Sequence, residues 1–495
     1  MPTSLKESTG NMQSKAEARR ISPAVEILIV LLLTIVSAIR LYKLGAWSFW
    51  VDEMFTLRDA TGGFHNMTYP LSYILIGEVL KAGGINEWNA RIIPCLVGII
   101  TPATIYLLSR REFGRGPALA AAAIIAISPW HLYWSQMARF YTMTMLFSGV
   151  AALLFFSGLE RNSRWRMGVA VVAMILAVLS HYSAFLVLAA LMVYTALAYA
   201  LKWPYSQAAD TRPRTGPILT FFLPFALAGF AMTPKVLFIL SGYSKSYATT
   251  GTTFANPVKG AVYVAFSTVY RVELAVAAAA ILTTFFLLGR RDRRGLFLTT
   301  LILIPLTLVV IAGAMSRGEN RYALVTLPAF ALLAGMGMTI AYNALRPRSV
   351  VLAAIIPAAI ALPLIQHCAI YFSPVSNGER WDYRSAAEIV RKHGQPGDIV
   401  LTPMYMPMDY YLKKSKMPVI DLESRDLRKY PKWQKRIWIV VEDSTRGLSA
   451  GTDAKKWLQR DCSLIANFPA SSPVANYGVS VYLYLPNHSR ESAVR

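Results

Sequence analysis

The chain has 495 residues, of which 55% are hydrophobic and only 16% are charged. This composition, with a mean hydropathy of +0.41, excludes an ordinary water-soluble protein and predicts a polytopic α-helical membrane protein. The formal net charge of +23 does not indicate a nucleic-acid partner, because the basic residues lie in short clusters between apolar segments. Such clusters are typical of the cytoplasmic loops of membrane proteins.

Eleven apolar segments are long enough to cross a bilayer, and they follow a polar segment, residues 1–22, that we expect to be disordered and cytoplasmic. The predicted spans are 24–44, 89–109, 117–134, 140–158, 166–181, 183–201, 216–233, 262–289, 296–315, 322–343 and 350–371. The stretch 257–289 is longer than one span and is interrupted by Arg271 and Glu273, so the predicted count is eleven or thirteen. An odd number places everything after Phe372 outside the cytoplasm.

The composition changes after the last span, at the end of the predicted transmembrane domain, residues 23–376. Residues 377–495 have the pattern of a small extracytoplasmic α/β domain, because predicted helices alternate with predicted strands. The helices are Asp382–Lys392 and Ala454–Arg460, and the strands are Ile399–Thr402, Pro418–Asp421, Ile437–Glu442 and Val479–Leu485.

The first external loop, residues 45–88, contains Trp50-Val51-Asp52-Glu53 near its start. At 1.5 Å per helical residue, Asp52 lies on the order of 10–15 Å beyond the hydrocarbon edge, which is the depth of a lipid phosphate. A carboxylate at that depth is placed to act on a lipid-borne substrate, so Asp52 and Glu53 are the predicted catalytic residues. The alternative is that the two acids only stabilise the first turn of an interfacial helix.

Basic residues also lie at the outer ends of predicted spans, against the usual charge bias. The planar fork of arginine suits phosphate oxygens better than lysine does, so these residues predict an anionic lipid phosphate as ligand. The predicted phosphate-binding residues are Arg58, Arg139, Lys235, Arg321 and Tyr322, and the predicted substrate pocket is Trp50, Tyr141, His181 and Tyr182. The alternatives are arginines that snorkel to the interface, an aromatic belt, and a plain turn residue at His181. Arg91 belongs to the same set of outer arginines.

Several short motifs occur in an order that resembles the C-type (GT-C) glycosyltransferases. They are Trp50-Val51-Asp52-Glu53, Tyr69-Pro70-Leu71, Asn89-Ala90-Arg91-Ile92-Ile93-Pro94, Ser135-Gln136-Met137-Ala138-Arg139-Phe140-Tyr141, His181-Tyr182 and Arg321-Tyr322. The series is most similar to the protein O-mannosyltransferases and the lipid A aminoarabinose transferases, and it covers roughly residues 24–345. The resemblance implies a polyprenyl-phosphate-linked sugar donor and an acidic catalytic base in the first external loop. That role falls on Asp52, with Glu53 as its neighbour.

The chain departs from the family pattern at two places. Family members often carry His-Pro-Pro-Leu where this chain has Thr68-Tyr69-Pro70-Leu71, and nothing shows that His65 substitutes for the missing histidine. Oligosaccharyltransferases of the wider superfamily carry Trp-Trp-Asp-Tyr-Gly, which Trp381-Asp382-Tyr383 matches at only three positions before Arg384.

The sequence therefore predicts an integral-membrane glycosyltransferase of a bacterial inner or plasma membrane. It would move a sugar from a polyprenyl phosphate to a lipid, glycan or protein acceptor, and one carboxylate base favours a single inverting displacement. A transporter or flippase for lipid-linked sugars is the rival, although charged groups near the middle of spans are expected there. A polymerase or ligase differs only in donor size. No cofactor is certain. A divalent metal at Asp52 and Glu53 stays open, although no Asp-x-Asp occurs there.

Overall fold

The computed structural model describes residues 22–62, 70–203, 215–230, 257–314, 319–415, 417–422, 435–443, 453–472 and 475–486. Four residues that the sequence analysis named, His65, Thr68, Tyr69 and Lys235, lie outside these ranges.

Each of the eleven predicted spans corresponds to one helix or to a consecutive pair, which confirms the fold class. The helices of this region are Pro23–Ser37, Val51–Thr61, Pro70–Gly83, Glu87–Ser109, Arg115–Ala126, Pro129–Ser135, Tyr141–Glu160, Arg164–Ser180, Ala184–Leu201, Thr215–Phe230, Pro257–Val272, Leu274–Gly289, Arg293–Ala314, Leu327–Leu345 and Val350–Phe372. Within the described residues, seven helices have the length and apolarity of a full span, or up to nine if each bent pair is one span. The count is below eleven because Arg164–Ser180 and Thr215–Phe230 are shorter than 18 residues.

Two predicted spans are bent pairs of helices. Arg115–Ala126 and Pro129–Ser135 meet at 56°, because Pro129 lacks the N–H that would continue the first helix and instead starts the second, which the Ser128 side chain caps. Pro257–Val272 and Leu274–Gly289 meet at 97°. Their junction is Glu273, whose φ of 83° cannot belong to a right-handed helix. The ambiguous stretch 257–289 is thus two helices with a sharp turn between them.

Helix Tyr141–Glu160 lies inside the bundle, and 83% of the residues in its 18-residue apolar stretch are buried. Its sequence is apolar on all sides, as expected for a helix that is surrounded by other helices. At 1.5 Å per residue its 20 residues span about 30 Å. Tyr141 and Glu160 therefore mark opposite ends of the membrane region.

The C-terminal region contains a five-stranded sheet. Its strand order is Val419–Asp421, Ile399–Thr402, Ile437–Glu442, Val479–Tyr484 and Cys462–Phe468, with the first three parallel and the last two joined antiparallel. Helices Tyr383–His393, Tyr405–Leu412 and Asp453–Asp461 pack against it. Every residue of Ile437–Glu442 is buried, because apolar clusters cover both faces of this central strand.

Candidate active site

The loop helix Val51–Thr61 carries both predicted catalytic acids in its first turn. Trp50 has extended backbone and precedes the helix, and its N–H donates to Glu53 Oε2 at 3.1 Å. This is the return bond of a capping box, which fixes where the helix begins. Because neighbouring helical residues point about 100° apart, Asp52 and Glu53 face different surroundings.

Glu53 is fully buried and its carboxylate accepts from four donors. Arg91 donates Nε to Oε1 and Nη2 to Oε2, both at 2.7 Å, and the Ala138 N–H donates to Oε1 at 2.8 Å. With the Trp50 bond, both oxygens have used their acceptor sites. Burial alone raises the pKa of Glu53, but the Arg91 guanidinium outweighs it, so the pKa lies below its usual range. Glu53 is therefore placed to anchor the loop.

Arg91 has a different partner from the phosphate that the sequence suggested. Its guanidinium is fully buried and donates to Glu53 and to the carbonyl oxygens of Leu44, Trp47 and Ser48, at 2.9–3.1 Å for the carbonyls. These bonds tie the start of the first external loop to helix Glu87–Ser109.

Asp52 faces two arginines from distant parts of the chain. Arg321 Nη1 donates to Asp52 Oδ2, and Arg321 Nη2 donates to Glu319 Oε1 at 2.6 Å. Arg139 Nη2 lies 3.9 Å from Asp52 Oδ2, while Arg139 Nη1 donates to the Asp52 carbonyl oxygen and to Thr56 Oγ1 at 2.9 and 3.0 Å. The structure thus brings three predicted site residues together, one carboxylate between two guanidinium groups.

Aromatic rings surround these two guanidinium groups. The guanidinium carbon of Arg321 lies 5.9 Å from the Tyr141 ring and 5.7 Å from the Tyr322 ring. That of Arg139 lies 4.4 Å from the Phe140 ring. Such cation–π contacts hold a guanidinium in one orientation.

His181 is the centre of the remaining predicted pocket residues. Its ring stacks on Phe140 and on Tyr322, with centroids 4.3 and 5.5 Å apart, and lies 3.9 Å from the Tyr182 ring. Burial, reinforced by the positive charges of Arg139 and Arg321, lowers the pKa of His181 to about 2. The imidazole is therefore neutral at physiological pH and contributes a ring rather than a charge.

Arg58 is not part of this group. Its side chain is 62% exposed, donates to Asp59 at 2.9 Å, and lies over the Phe55 ring.

A cavity of about 190 Å³ lies beside Arg321, and residues of both the membrane helices and the sheet region line it. The membrane region and the first external loop contribute most of its lining, and the sheet region contributes Trp381, Ala475 and Tyr477. Its lining residues are Trp50, Trp130, Tyr133, Trp134, Tyr263, Ser267, Arg271, Glu319, Asn320, Arg321, Trp381, Ala475 and Tyr477. Sequence reasoning did not find Arg271, Trp381 or Tyr477 as site residues. The available signals were an arginine within an apolar stretch and the partial Trp-Asp-Tyr motif.

The region of the first helices matches a known family. The family model for dolichyl-phosphate-mannose-protein mannosyltransferases matches residues 69–209. No curated protein sequence matches this chain. The match includes Arg139 and His181 but not Asp52 or Arg321.

Solved structures match the whole architecture. ArnT from Cupriavidus metallidurans in the apo state is 14% identical with a TM-score of 0.51, over 92% of this chain and 97% of that one. The same protein bound to undecaprenyl phosphate matches over 94% and 98%, also at 14% identity and 0.51. An oligosaccharyltransferase from Archaeoglobus fulgidus, in complex with zinc and sulfate, is 12% identical with a TM-score of 0.51, over 84% of this chain and 68% of that one.

The fold is that of the GT-C glycosyltransferases. The resemblance drawn from the motif series is thereby confirmed, and the chain is an integral membrane protein.

The hydrogen bonds of Glu53 bear on whether Asp52 and Glu53 could hold a divalent metal. Both Glu53 oxygens already accept from Arg91 and two backbone N–H groups, so Glu53 has no acceptor site left for a cation. Among the described residues, no three His, Cys, Asp or Glu side chains form a group that could hold a metal. A divalent metal held by Asp52 and Glu53 together, the possibility that the sequence left open, does not fit this geometry.

Proposed function

We propose that the protein is a glycosyltransferase that takes a sugar from a polyprenyl phosphate, with Asp52 as its catalytic base. The observation that carries the proposal is the Arg139–Asp52–Arg321 cluster, at one end of the helices of a GT-C fold. The matching ArnT structure with undecaprenyl phosphate bound supports a lipid-linked donor in general. The acceptor would be a lipid, glycan or protein on the external face of the membrane.

The reaction is written as one displacement. Asp52 takes the proton of the acceptor hydroxyl as its oxygen bonds to the anomeric carbon of the donor. The bond from that carbon to the phosphate oxygen breaks, and polyprenyl phosphate leaves with the electron pair. One attack from the face opposite the leaving group inverts the anomeric centre. General-base catalysis contributes about 10²–10⁴-fold.

The two arginines would hold the leaving phosphate. Arg321 uses two of its five N–H groups on Asp52 and Glu319, so donors remain for phosphate oxygens. Cations fixed in place before the reaction stabilise the charge that develops on the leaving group, which is often the largest single contribution to catalysis. Tyr141, Tyr322 and the neutral His181 would keep these guanidinium groups oriented.

Glu53 serves as a positioning residue in this account. Its carboxylate is saturated by Arg91 and by backbone donors, so no lone pair is directed at a substrate. Asp52 next to it is fixed in place as a result.

The transporter reading is less well supported. Asp52 lies in the loop helix Val51–Thr61, Arg139 lies two residues before helix Tyr141–Glu160, and Arg321 lies at the start of the candidate span Asn320–Leu345. A transport pathway is expected to place such groups near the middle of its spans. Ionisable groups collected at one end favour chemistry at the membrane surface.

Binding of undecaprenyl phosphate to the purified protein, measured by native mass spectrometry in detergent, tests the donor class. Arg321→Ala should weaken binding by about 10-fold or more, as expected when a charge-assisted hydrogen bond is lost. Arg321→Lys should recover only part of it, because lysine lacks the bidentate fork. Arg58→Ala is the matched control, since Arg58 is mostly exposed and pairs with Asp59. Equal affinity in all four proteins would contradict the assignment.

A further inference from the structure

We infer that the cavity beside Arg321 is an acceptor subsite for a sugar ring, so that the acceptor is a saccharide hydroxyl. The inference rests on the proposed function and names the substrate class of the same site.

Arg321 has two different sets of neighbours. Its guanidinium carbon lies 5.7 Å from the Tyr322 ring, and that ring lies 5.7 Å from the ring of Tyr182, which is 46% exposed and belongs to a turn between two membrane helices. Arg321 also lines the cavity, together with Trp381 and Tyr477 of the sheet region. A polyprenyl chain stays in the membrane, so we expect its phosphate beside the residues of the membrane helices. An inverting displacement requires the acceptor to attack from the face opposite the leaving phosphate, and we place that acceptor in the cavity.

The cavity wall has flat aromatic surfaces. The rings of Trp50 and Trp381 stack with centroids 5.8 Å apart and planes 26° from parallel. The Tyr477 ring packs edge-on against Trp381 at 5.0 Å, which fixes its orientation. The face of an aromatic ring is electron-rich, so it attracts the weakly positive C–H groups on the face of a pyranose or furanose.

Polar groups at the cavity edge match the hydroxyls of a sugar. The Glu319 side chain is 52% exposed and offers acceptor oxygens. Arg271 lies at the bend between two helices, where its Nη1 donates to Glu379 at 2.5 Å and its guanidinium lies 5.6 Å from the Tyr133 ring. A few polar groups placed around an apolar wall are what fixes the orientation of a small polar ligand.

The partial Trp-Asp-Tyr motif does not provide a peptide site. Asp382 Oδ1 accepts from the Ser385 N–H and from Ser48 Oγ, so it caps helix Tyr383–His393 and ties it to the first loop. Tyr383 is buried and donates to Glu442. Trp381 is the member of the three that lines the cavity, and it offers a ring rather than a row of hydrogen-bonding groups.

The test measures binding to the full-length protein in nanodiscs. One arm titrates a panel of methyl glycosides and disaccharides, a second titrates short peptides containing serine and threonine, and a third titrates undecaprenyl phosphate. The variants are Trp381→Ala and Trp381→Phe, with Trp165→Ala as control because Trp165 is 80% exposed and does not line the cavity. Thermal unfolding of each variant checks that it is folded.

At least one saccharide should bind, and Trp381→Ala should weaken its affinity by about 5- to 10-fold, the scale of an aromatic stacking contact. Trp381→Phe keeps a ring and should lose less. Undecaprenyl phosphate affinity should be unchanged in both, and saccharide and lipid phosphate should bind together.

Three outcomes would overturn the subsite: no saccharide binds, Trp381→Ala binds the saccharide as tightly as Trp165→Ala does, or the saccharide and undecaprenyl phosphate exclude each other. A wild-type protein that does not bind undecaprenyl phosphate would instead refute the proposed function. The saccharide titration is a separate measurement, so its result still tests the subsite.

Discussion

At the scale of single residues, Asp52 and Glu53 show how two adjacent acids acquire different roles. Adjacent helical residues point about 100° apart, but sequence reasoning could not tell which of the two acids meets which arginine. Arg91 and Arg139 look alike in the sequence, both at an outer helix end. In the structure Arg91 pairs with the buried Glu53, and Arg139 lies near the partly exposed Asp52. The burial of each acid and its partners decide its role. Both depend on contacts between residues that lie 38 and 87 positions apart in the chain.

Glu53→Gln should destabilise the protein strongly, because it leaves the Arg91 guanidinium buried without its counter-charge. Breaking a buried ion pair from one side costs about 3–5 kcal/mol. The measurement is thermal unfolding in detergent, with Glu78→Gln as control, since Glu78 pairs with Lys81 on the surface where both side chains are more than 60% exposed. A Glu53→Gln protein as stable as the control would show that the pair does not anchor the loop.

The same pair predicts how stability depends on pH. The pKa of Glu53 is lower in the folded protein than its ordinary value of 4.5, so its contribution is present above that value and is lost as the pH falls through the folded-state pKa. The unfolding temperature should therefore decrease as the pH falls below about 4.5, and less steeply in Glu53→Gln. Parallel pH profiles of the two proteins would contradict this.

At the scale of elements, the sequence predicted most helices and four of the five strands of the larger sheet. Apolar length identifies a span, and a short β-branched run identifies a buried strand such as Ile437–Glu442. Sequence reasoning missed helix Tyr405–Leu412, which is short and contains Pro407. It also missed strand Cys462–Phe468, which follows a helix without a turn signal. The sequence marked an interruption at Arg271 and Glu273, but it did not predict the 97° bend there, because a non-glycine residue with positive φ has no local signature.

Helix Tyr405–Leu412 holds the first external loop in place. The Tyr411 hydroxyl accepts from the Phe49 N–H at 2.8 Å and donates to Glu87 Oε1 at 2.6 Å. Arg384 also donates to Glu87, at 2.5 Å. Phe49 directly precedes the cap of the loop helix, so the sheet region is tied to the segment that carries Asp52.

Tyr411→Phe should lower the rate of sugar transfer by about 3- to 10-fold, because one or two hydrogen bonds of about 1 kcal/mol each no longer position the loop. Affinity for undecaprenyl phosphate should change less than the rate. Tyr405→Phe is the matched control, since Tyr405 lies on the same helix and is 42% exposed. A Tyr411→Phe rate equal to that of the control would show that the contact between helix Tyr405–Leu412 and the first external loop does not position Asp52.

At the scale of the whole molecule, residues of the membrane region and of the sheet region line one cavity. Trp50 and Trp381 are stacked although they are far apart in the chain, and no sequence pattern relates them. The motif order predicted the fold and brought Asp52, Arg139 and Arg321 into one hypothesis. The wall contributed by Trp381 and Tyr477 required the tertiary structure.

The ends of the bundle predict the orientation in the membrane. Arg111 and Arg291 lie at the end opposite Asp52, among clustered arginines that should face the cytoplasm. In a background with Cys95, Cys368 and Cys462 replaced, a single cysteine at the exposed Lys414 should react with an impermeant maleimide in intact cells. Cysteines at Arg111 and Arg291 should react only after lysis. The reverse pattern would place Asp52 in the cytoplasm and remove the external donor.

The central claim is that Asp52 is the base for sugar transfer from a polyprenyl phosphate, and the most direct measurement is the turnover of Asp52→Asn. The amide keeps the shape of the side chain but cannot take the acceptor proton. Release of undecaprenyl phosphate from undecaprenyl-phosphate-linked sugars should fall at least about 100-fold, with undecaprenyl phosphate binding and thermal unfolding nearly unchanged. Asp59→Asn, on the same helix and paired with Arg58, should retain full turnover. An Asp52→Asn protein that transfers sugar at the rate of the Asp59→Asn control would contradict the account.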